Sequence, residues 1–359
     1  MRLPRPLALT VAALAALALT FGAAPGAFAE GLPSSGTTLS TGGSGSLGST
    51  GSGPGAAGSS GIPRLGALFP SANPYSEETE NNLVAFGDSF TANSHWLINR
   101  FPQLGFAYPT QEGCFVAPDA WPALVGEETG RPVQNWACNG HTTSGMLGRI
   151  DRAIAAGHIN DTSTVVLAAG MNDKRIGTAD DTIRENLVAG VEKVRAVAPD
   201  AEILLLGRLS TTSPDGIYCD RNIVPNLPFG ESDARTAAFE RANQENHKAA
   251  AAAADVPFID IRDMTAENNS TCARDADRYV SGHWDLTTPG FNMRAHPSFG
   301  GSRFLAEQII AAFGTAGASL LLEVIDDVDL DTDPVLGEVA DELGELLDES
   351  PQGGQDGPM

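Results

Sequence analysis

Residues 83–91 read Leu-Val-Ala-Phe-Gly-Asp-Ser-Phe-Thr, and the reading of this stretch decides the fold. Leu83–Phe86 is an apolar run of strand length that meets Gly87, Asp88 and Ser89. A short, uninterrupted apolar run fits a strand covered on both faces. A polar turn at its end sets Ser89 where a strand gives way to a helix, with its side chain exposed and backbone N–H groups free to face an anion. A serine hydroxyl is a poor nucleophile unless a base takes its proton. Taken alone, Ser89 reads better as a helix N-cap than as a nucleophile.

Working outward, further strand-length apolar runs occur at Val133–Ala137, Thr164–Ala169, Glu202–Leu206 and Val256–Ile261. Helical patterns lie between them. Asp180–Val197 carries Ile183, Leu187, Val191 and Val194 at helical spacing and is stopped by Pro199. Ser232–Ala254 opens on a Ser-Asp cap and is Ala-rich, and Arg303–Phe313 is a last amphipathic segment expected to end before Gly314. Strands alternating with helices predict an α/β fold with a parallel sheet, whose sites form beyond the carboxyl ends of the strands. Segments 97–132 and 209–231 show little periodicity and are expected to be long loops that shape a site.

The ends of the chain have a different character. Arg2 and Arg5 precede the apolar run Leu7–Phe21, and Ala27-Phe28-Ala29 follows as a cleavage motif, so residues 1–29 read as a secretory signal peptide. Residues 30–64 are Gly/Ser-rich and read as a flexible linker, 65–315 as the folded domain, and 316–359 as an acidic, disordered tail. No later stretch is apolar enough to anchor the chain in a bilayer after signal cleavage. The formal net charge is −23, more than half of the excess lies in the tail, and no Lys or Arg follows Arg303. Nucleic-acid binding is excluded on this balance, because phosphate contacts need a basic patch. Four cysteines, Cys114, Cys138, Cys219 and Cys272, allow three pairings in an oxidising compartment, of which the sequential one is the simplest. No Cys-x-x-Cys pair suggests zinc, and no metal or organic cofactor is expected.

The chemistry-bearing residues follow the strands. Cys138-Asn139-Gly140-His141 comes after the second, where a glycine N–H is unobstructed. Gly170-Met171-Asn172-Asp173 comes after the third, where an Asn amide can donate to an oxyanion. Arg294-Ala295-His296-Pro297 precedes the last helix and offers a general base. Each is weak alone: a turn, an Asx cap and a loop histidine are the plainer readings. Of the other histidines, His141 and His283 are also candidates for a pocket.

Ser, Gly, Asn and His in this order and context resemble the SGNH (GDSL-like) hydrolase superfamily. Gly87-Asp88-Ser89-Phe90 matches its first block with Phe90 where Leu is commoner, Gly140 its second, Gly170–Asp173 its third and His296-Pro297 its last. The chain looks closest to the secreted, disulfide-containing bacterial lipases and esterases, with a likeness spanning about residues 80–313. The resemblance implies a flavodoxin-like, three-layer α/β/α fold with a central parallel sheet of about five strands. It implies Ser89 as nucleophile, His296 as base, and an oxyanion hole of the Ser89 and Gly140 N–H groups and the Asn172 amide, acting on a lipid or acyl ester as a monomer. An esterase removing acetyl groups from a glycan would use the same residues, and a non-catalytic surface-binding protein could keep the same fold. One position departs from the pattern. The family's Asp three residues before the His is Met293 here, so His296 is expected to be oriented by a backbone carbonyl near Met293, with Asp285 as the alternative. Asp88 and Asp173 are given structural hydrogen-bonding roles.

Overall fold

The computed structural model describes residues 72–327, with side chains to residue 313. The signal peptide, the linker and the tail beyond residue 327 lie outside the described residues. The strands in chain order are β1 (Leu83–Gly87), β2 (Thr110–Gln111), β3 (Cys114–Phe115), β4 (Val133–Asn135), β5 (Thr164–Ala168), β6 (Glu202–Leu206), β7 (Ile217–Val224), β8 (Leu227–Ser232), β9 (Phe258–Ile259) and β10 (Trp284–Asp285). The central sheet runs β4-β1-β5-β6-β9 and is parallel throughout. Counted in chain order within the sheet, its strands follow the flavodoxin-like sequence 2-1-3-4-5, which reverses between β1 and β5.

Helices cover both faces, so each apolar run is buried on alternate sides. The helices are α1 (Ser89–Ala92), α2 (Trp96–Arg100), α3 (Trp121–Thr129), α4 (Thr143–Ala155), α5 (Met171–Ile176), α6 (Asp180–Val197), α7 (Ala234–Ala254), α8 (Ile261–Thr265) and α9 (Phe299–Asp327). Val84, Phe86, Val165, Leu167, Ile203 and Leu205 pack on α4, α6 and α7. Leu83, Ala85, Val166, Leu204 and Leu206 face the other way, onto α3 and α9. This is the three-layer α/β/α sandwich, and each fully buried Val, Leu or Ile stabilises it by about 1.5–3 kcal/mol. Ile183, Leu187, Val191 and Val194, the residues whose spacing predicts α6, are all buried.

Three expectations are corrected. The segment 97–132 contains α3, whose residues Trp121, Pro122, Ala123, Leu124 and Val125 are all buried. Because these buried residues are consecutive and the exposed ones follow them, the helix shows no apolar stripe at helical spacing and hence no period to read. The segment 209–231 contains most of the β7–β8 hairpin, which turns at Pro225-Asn226 with Asn226 in the left-handed region. Its irregular register, shifted between Tyr218, Arg221 and Val224, hides the alternation. The last helix starts at Phe299 and its backbone continues through Gly314 to Asp327. A helix interior tolerates a glycine at about 1 kcal/mol when no proline follows.

Candidate active site

The switch point sets the ends of β1 and β5 side by side, with Gly87 opposite Ala168. At Gly87 a side chain has no room: a Cβ there would lie 2.3 Å from Thr91 Oγ1 and 3.1 Å from the Ala168 carbonyl. The chain therefore turns tightly into α1. The cap of α1 is Asp88, whose Oδ1 accepts from the Phe90 N–H at 2.8 Å. Ser89 is the first helical residue and its hydroxyl is left for another partner.

That partner is His296. The two side chains meet at 2.8 Å between Ser89 Oγ and His296 Nε2. The other ring nitrogen, Nδ1, lies 2.7 Å from the carbonyl oxygen of Arg294. A carbonyl only accepts, so Nδ1 carries the proton and donates it, and Nε2 is left to accept from the serine hydroxyl. The backbone carbonyl expected near Met293 is that of Arg294. Ala295 makes the geometry possible by adopting φ +57°, a left-handed conformation that costs a residue with a Cβ about 1–2 kcal/mol. The segment is held by backbone pairing: Ser281 N–H donates to the His296 carbonyl, Ala295 N–H to Gly282, and Ser298 N–H to Tyr279.

Asp285 is elsewhere. Its carboxylate accepts from the N–H groups of Gly282, Thr287 and Thr288, from Thr288 Oγ1 and from Asn222 Nδ2. It lies 3.9 Å from Arg278 Nη1. These bonds outweigh its burial and hold its carboxyl below the usual range. Asp285 fixes a turn and does not orient His296.

The Gly140 turn is fastened to the end of β1 by Cys138 N–H donating to the Gly87 carbonyl at 3.2 Å. Gly140 has φ +78°, and its N–H has no partner among the described residues. The Asn172 amide donates to the His141 carbonyl at 2.9 Å, and its nitrogen is 3.5 Å from Asp88 Oδ2, the limit of a hydrogen bond. Asp173 is buried and accepts from the N–H and hydroxyl of Thr143, tying α5 to the start of α4. Asp88 and Asp173 thus do the structural work expected of them. His283 packs edge-on against Trp284, and His141 enters the site through its carbonyl. The disulfides are Cys114–Cys138 and Cys219–Cys272, the sequential pairing. Both sulfurs of the first lie near a ring nitrogen of His141, but a disulfide offers no thiolate to a metal.

Burial pushes the His296 imidazole down to about 4, opposed by its bond to the Arg294 carbonyl and assisted by the charges of Arg208 and Arg175. Arg208, two residues beyond the end of β6, belongs to no motif. Its guanidinium lies 3.5 Å from the centre of the Phe90 ring, and that ring is 5.2 Å from the His296 ring. A small cavity beside Phe90 is lined by Asp88, Gly170, Arg208 and His247, and by neither Ser89 nor His296. A hydroxyl hydrogen-bonded to a neutral imidazole, beside donors free to meet an oxyanion, is suited to acyl transfer.

No helix among the described residues is long and apolar enough to cross a membrane. No curated protein matches the chain in a sequence comparison. Among solved structures, phospholipase A1 from Streptomyces albidoflavus NA297 is similar at 19% identity, TM-score 0.45, over 63% of this chain and 98% of its own. The extracellular lipase of Streptomyces rimosus is similar at 19% identity, TM-score 0.43, over 63% and 98%. Esterase EstA from Pseudoalteromonas sp. is similar at 13% identity, TM-score 0.37, over 66% and 98%. The profile of the GDSL-like Lipase/Acylhydrolase family matches residues 85–303, a span that holds every residue of the arrangement described above, and the chain belongs to that family.

Proposed function

We infer that the chain is a secreted serine hydrolase of carboxylic esters, with a lipid or other acyl ester as substrate. The observation that carries this reading is the Ser89–His296 contact with Nδ1 engaged by a carbonyl. Ser89 Oγ attacks the ester carbonyl as its proton passes to His296 Nε2. The tetrahedral oxyanion is met by the Ser89 and Gly140 N–H groups and by the Asn172 hydrogen that points toward Asp88 only at 3.5 Å. His296 then protonates the leaving alcohol, and a water, deprotonated in turn by His296, releases the acid from the acyl-serine. Two disulfides support export to an oxidising compartment.

The test is labelling by a serine-reactive phosphonate together with hydrolysis of p-nitrophenyl esters of graded chain length. Labelling at Ser89 that disappears in His296→Ala supports the reading, and a protein that neither labels nor hydrolyses short esters overturns it. Chain-length preference then separates a lipase from an acetyl esterase.

Two further outcomes are expected. Asn172→Ala should lower kcat by about 10²–10³ with little change in KM, because the lost donor acts on charge that develops only in the transition state. Steady-state kinetics on a folded variant checks this. The pH profile should be displaced to the acid side. An imidazolium cannot accept the serine proton, so kcat/KM rises with pH through the free-enzyme pKa of His296, about 4. Activity at pH 5.5 should therefore be most of the plateau, where an unshifted histidine near 6.5 would leave about a tenth. A profile centred near 6.5 would show that burial does not act on His296 in this way.

A further inference from the structure

Nucleophile, oxyanion turn and base come from separate elements, and all three adjoin the stretch that directly follows α1. This stretch, residues 93–99, runs into α2 and lies outside every motif block of the family. It grips the base segment on both sides of His296. The Trp96 N–H donates to the Asn292 carbonyl at 2.9 Å, and Asn93 Nδ2 donates to the Pro297 carbonyl at 3.2 Å. It also holds the residue before Gly140, since Asn139 Nδ2 donates to Ser94 Oγ at 2.7 Å.

Asn99, on α2, closes the joint. Its Nδ2 donates to the Ser94 carbonyl at 3.1 Å and to Met293 Sδ at 3.3 Å. Its Oδ1 accepts from Ser94 Oγ at 2.9 Å and from Asn139 Nδ2 at 3.1 Å. A carboxamide has two N–H donors and two acceptor sites, so this one is fully used and has nothing left to offer a substrate. The same partners fix which way the amide faces, because turned over it would set oxygen against the Ser94 carbonyl.

The plainer role of Asn99 is local, the closing of a short turn onto Ser94. That role accounts for the two bonds to Ser94. It does not account for partners 40 and 194 residues away, one of them next to the oxyanion glycine and the other in the segment that carries the base. Ser94 is fully buried, so the joint is anchored in the interior although Asn99 itself is exposed. Such bonds add little net stability. Their effect on rate is larger, because a displacement of about 1 Å at a catalytic group can cost about 10²-fold.

We propose that Asn99 is a positioning residue that keeps the oxyanion turn and the base segment in register, and that Met293 is the point at which the base segment is held. The inference rests on the ester-hydrolase reading. It gives the departure at Met293 a function. Where the family's carboxylate acts on the imidazole itself, the side chain here is tied through Asn99 to the oxyanion turn, and the Arg294 carbonyl orients the ring.

The experiment measures kcat and KM on a p-nitrophenyl ester, the melting temperature, and the NMR resonance of the His296 Nδ1 proton. The variants are Asn99→Ala, Met293→Leu and the two combined. Asn99→Ala should lower kcat about tenfold or more and leave KM within about twofold. Its melting temperature should stay within about 5 °C of the parent, and the Nδ1 resonance should shift or broaden. Leucine keeps the volume of Met293 without its acceptor, so Met293→Leu should cost about threefold in kcat, the worth of one weak hydrogen bond. The combined variant should be no slower than Asn99→Ala, since both substitutions break one joint. A kcat in Asn99→Ala within about twofold of the parent, an unmoved Nδ1 resonance, or losses that multiply in the combined variant overturns the proposal and leaves the hydrolase reading standing. So does an activity loss that only follows the loss of folded protein. A parent protein that hydrolyses no ester and takes no phosphonate label loses both.

Discussion

Ser89→Ala is expected to lower ester hydrolysis by about 10⁴–10⁶-fold while leaving thermal stability within about 2 °C of the parent. The two halves of this expectation have separate physical causes. The catalytic half follows from the proposed chemistry: the alanine has no oxygen to attack the carbonyl, and what survives is water attack assisted by the oxyanion donors. The stability half follows from the placement of the cap. A serine at the start of a helix usually satisfies an orphan N–H, and its loss then costs about 1 kcal/mol. Here Asp88, one residue earlier, already accepts from the Phe90 N–H, and among the described residues the only partner of Ser89 Oγ is His296 Nε2. Nothing that holds α1 together passes through the Ser89 hydroxyl. Asp88→Ala should show the opposite balance, a loss of stability from the missing cap. Melting curves and p-nitrophenyl ester kinetics on both variants separate the roles. A Ser89→Ala protein that retains hydrolysis within tenfold would remove Ser89 as nucleophile.

Asp285→Asn supplies a contrast within the same framework. If a carboxylate oriented His296, its amide would cost about 10⁴ in kcat. With the Arg294 carbonyl in that position, the substitution should act on stability through five broken or weakened hydrogen bonds and leave kcat per folded molecule little changed.

The parts of the fold legible in the sequence are those where one residue type answers one physical demand. Leu83–Phe86, Thr164–Ala168 and Glu202–Leu206 read as strands because a sheet covered on both faces needs unbroken apolar runs. Ser89, Gly140 and Asn172 are readable because each follows such a run. What is not legible depends on backbone or on surroundings. The carbonyl that holds His296 belongs to every residue type alike, and it is aimed by Ala295 in a left-handed conformation that alanine rarely signals. Met293 marks only that the usual carboxylate is missing. Arg208 carries no motif, since its significance lies in Phe90, Glu240 and Asp88, brought to it from distant parts of the chain. The hairpin β7–β8 shows on its exposed side Ile223, Leu227 and Phe229, so polarity does not mark its two faces.

Removing the Cys219–Cys272 bridge, as Cys219→Ser with Cys272→Ser, is expected to cost about 4 kcal/mol of stability. The two cysteines are 53 residues apart, against 24 for Cys114 and Cys138, whose loss should cost about 3.5 kcal/mol on the same loop-closure reasoning. The larger bridge also has a local consequence that the smaller one lacks. Cys219 lies on β7, and its N–H donates to Oγ1 of Thr271, the neighbour of Cys272. Beyond Cys272 the chain passes through Tyr279–Gly282, whose backbone groups pair with Ala295, His296 and Ser298, and then through β10, which pairs with β7. The position of His296 is thus held by a strip of chain whose far end the disulfide pins to the hairpin. Loss of the bridge should open this strip before the central sheet, which keeps its buried Leu, Val and Ile layers on both faces. Denaturant titration gives the total cost. Native-state hydrogen exchange gives its distribution, with faster exchange at Ser281, Ala295 and Ser298 and protection retained in β1, β5 and β6. Hydrolysis should fall more steeply with denaturant than the loss of central-sheet protection, since the base is displaced while the nucleophile stays in place. Equal sensitivity of the two would show that the His296 strip unfolds only with the sheet, and that the bridge acts through the unfolded chain alone.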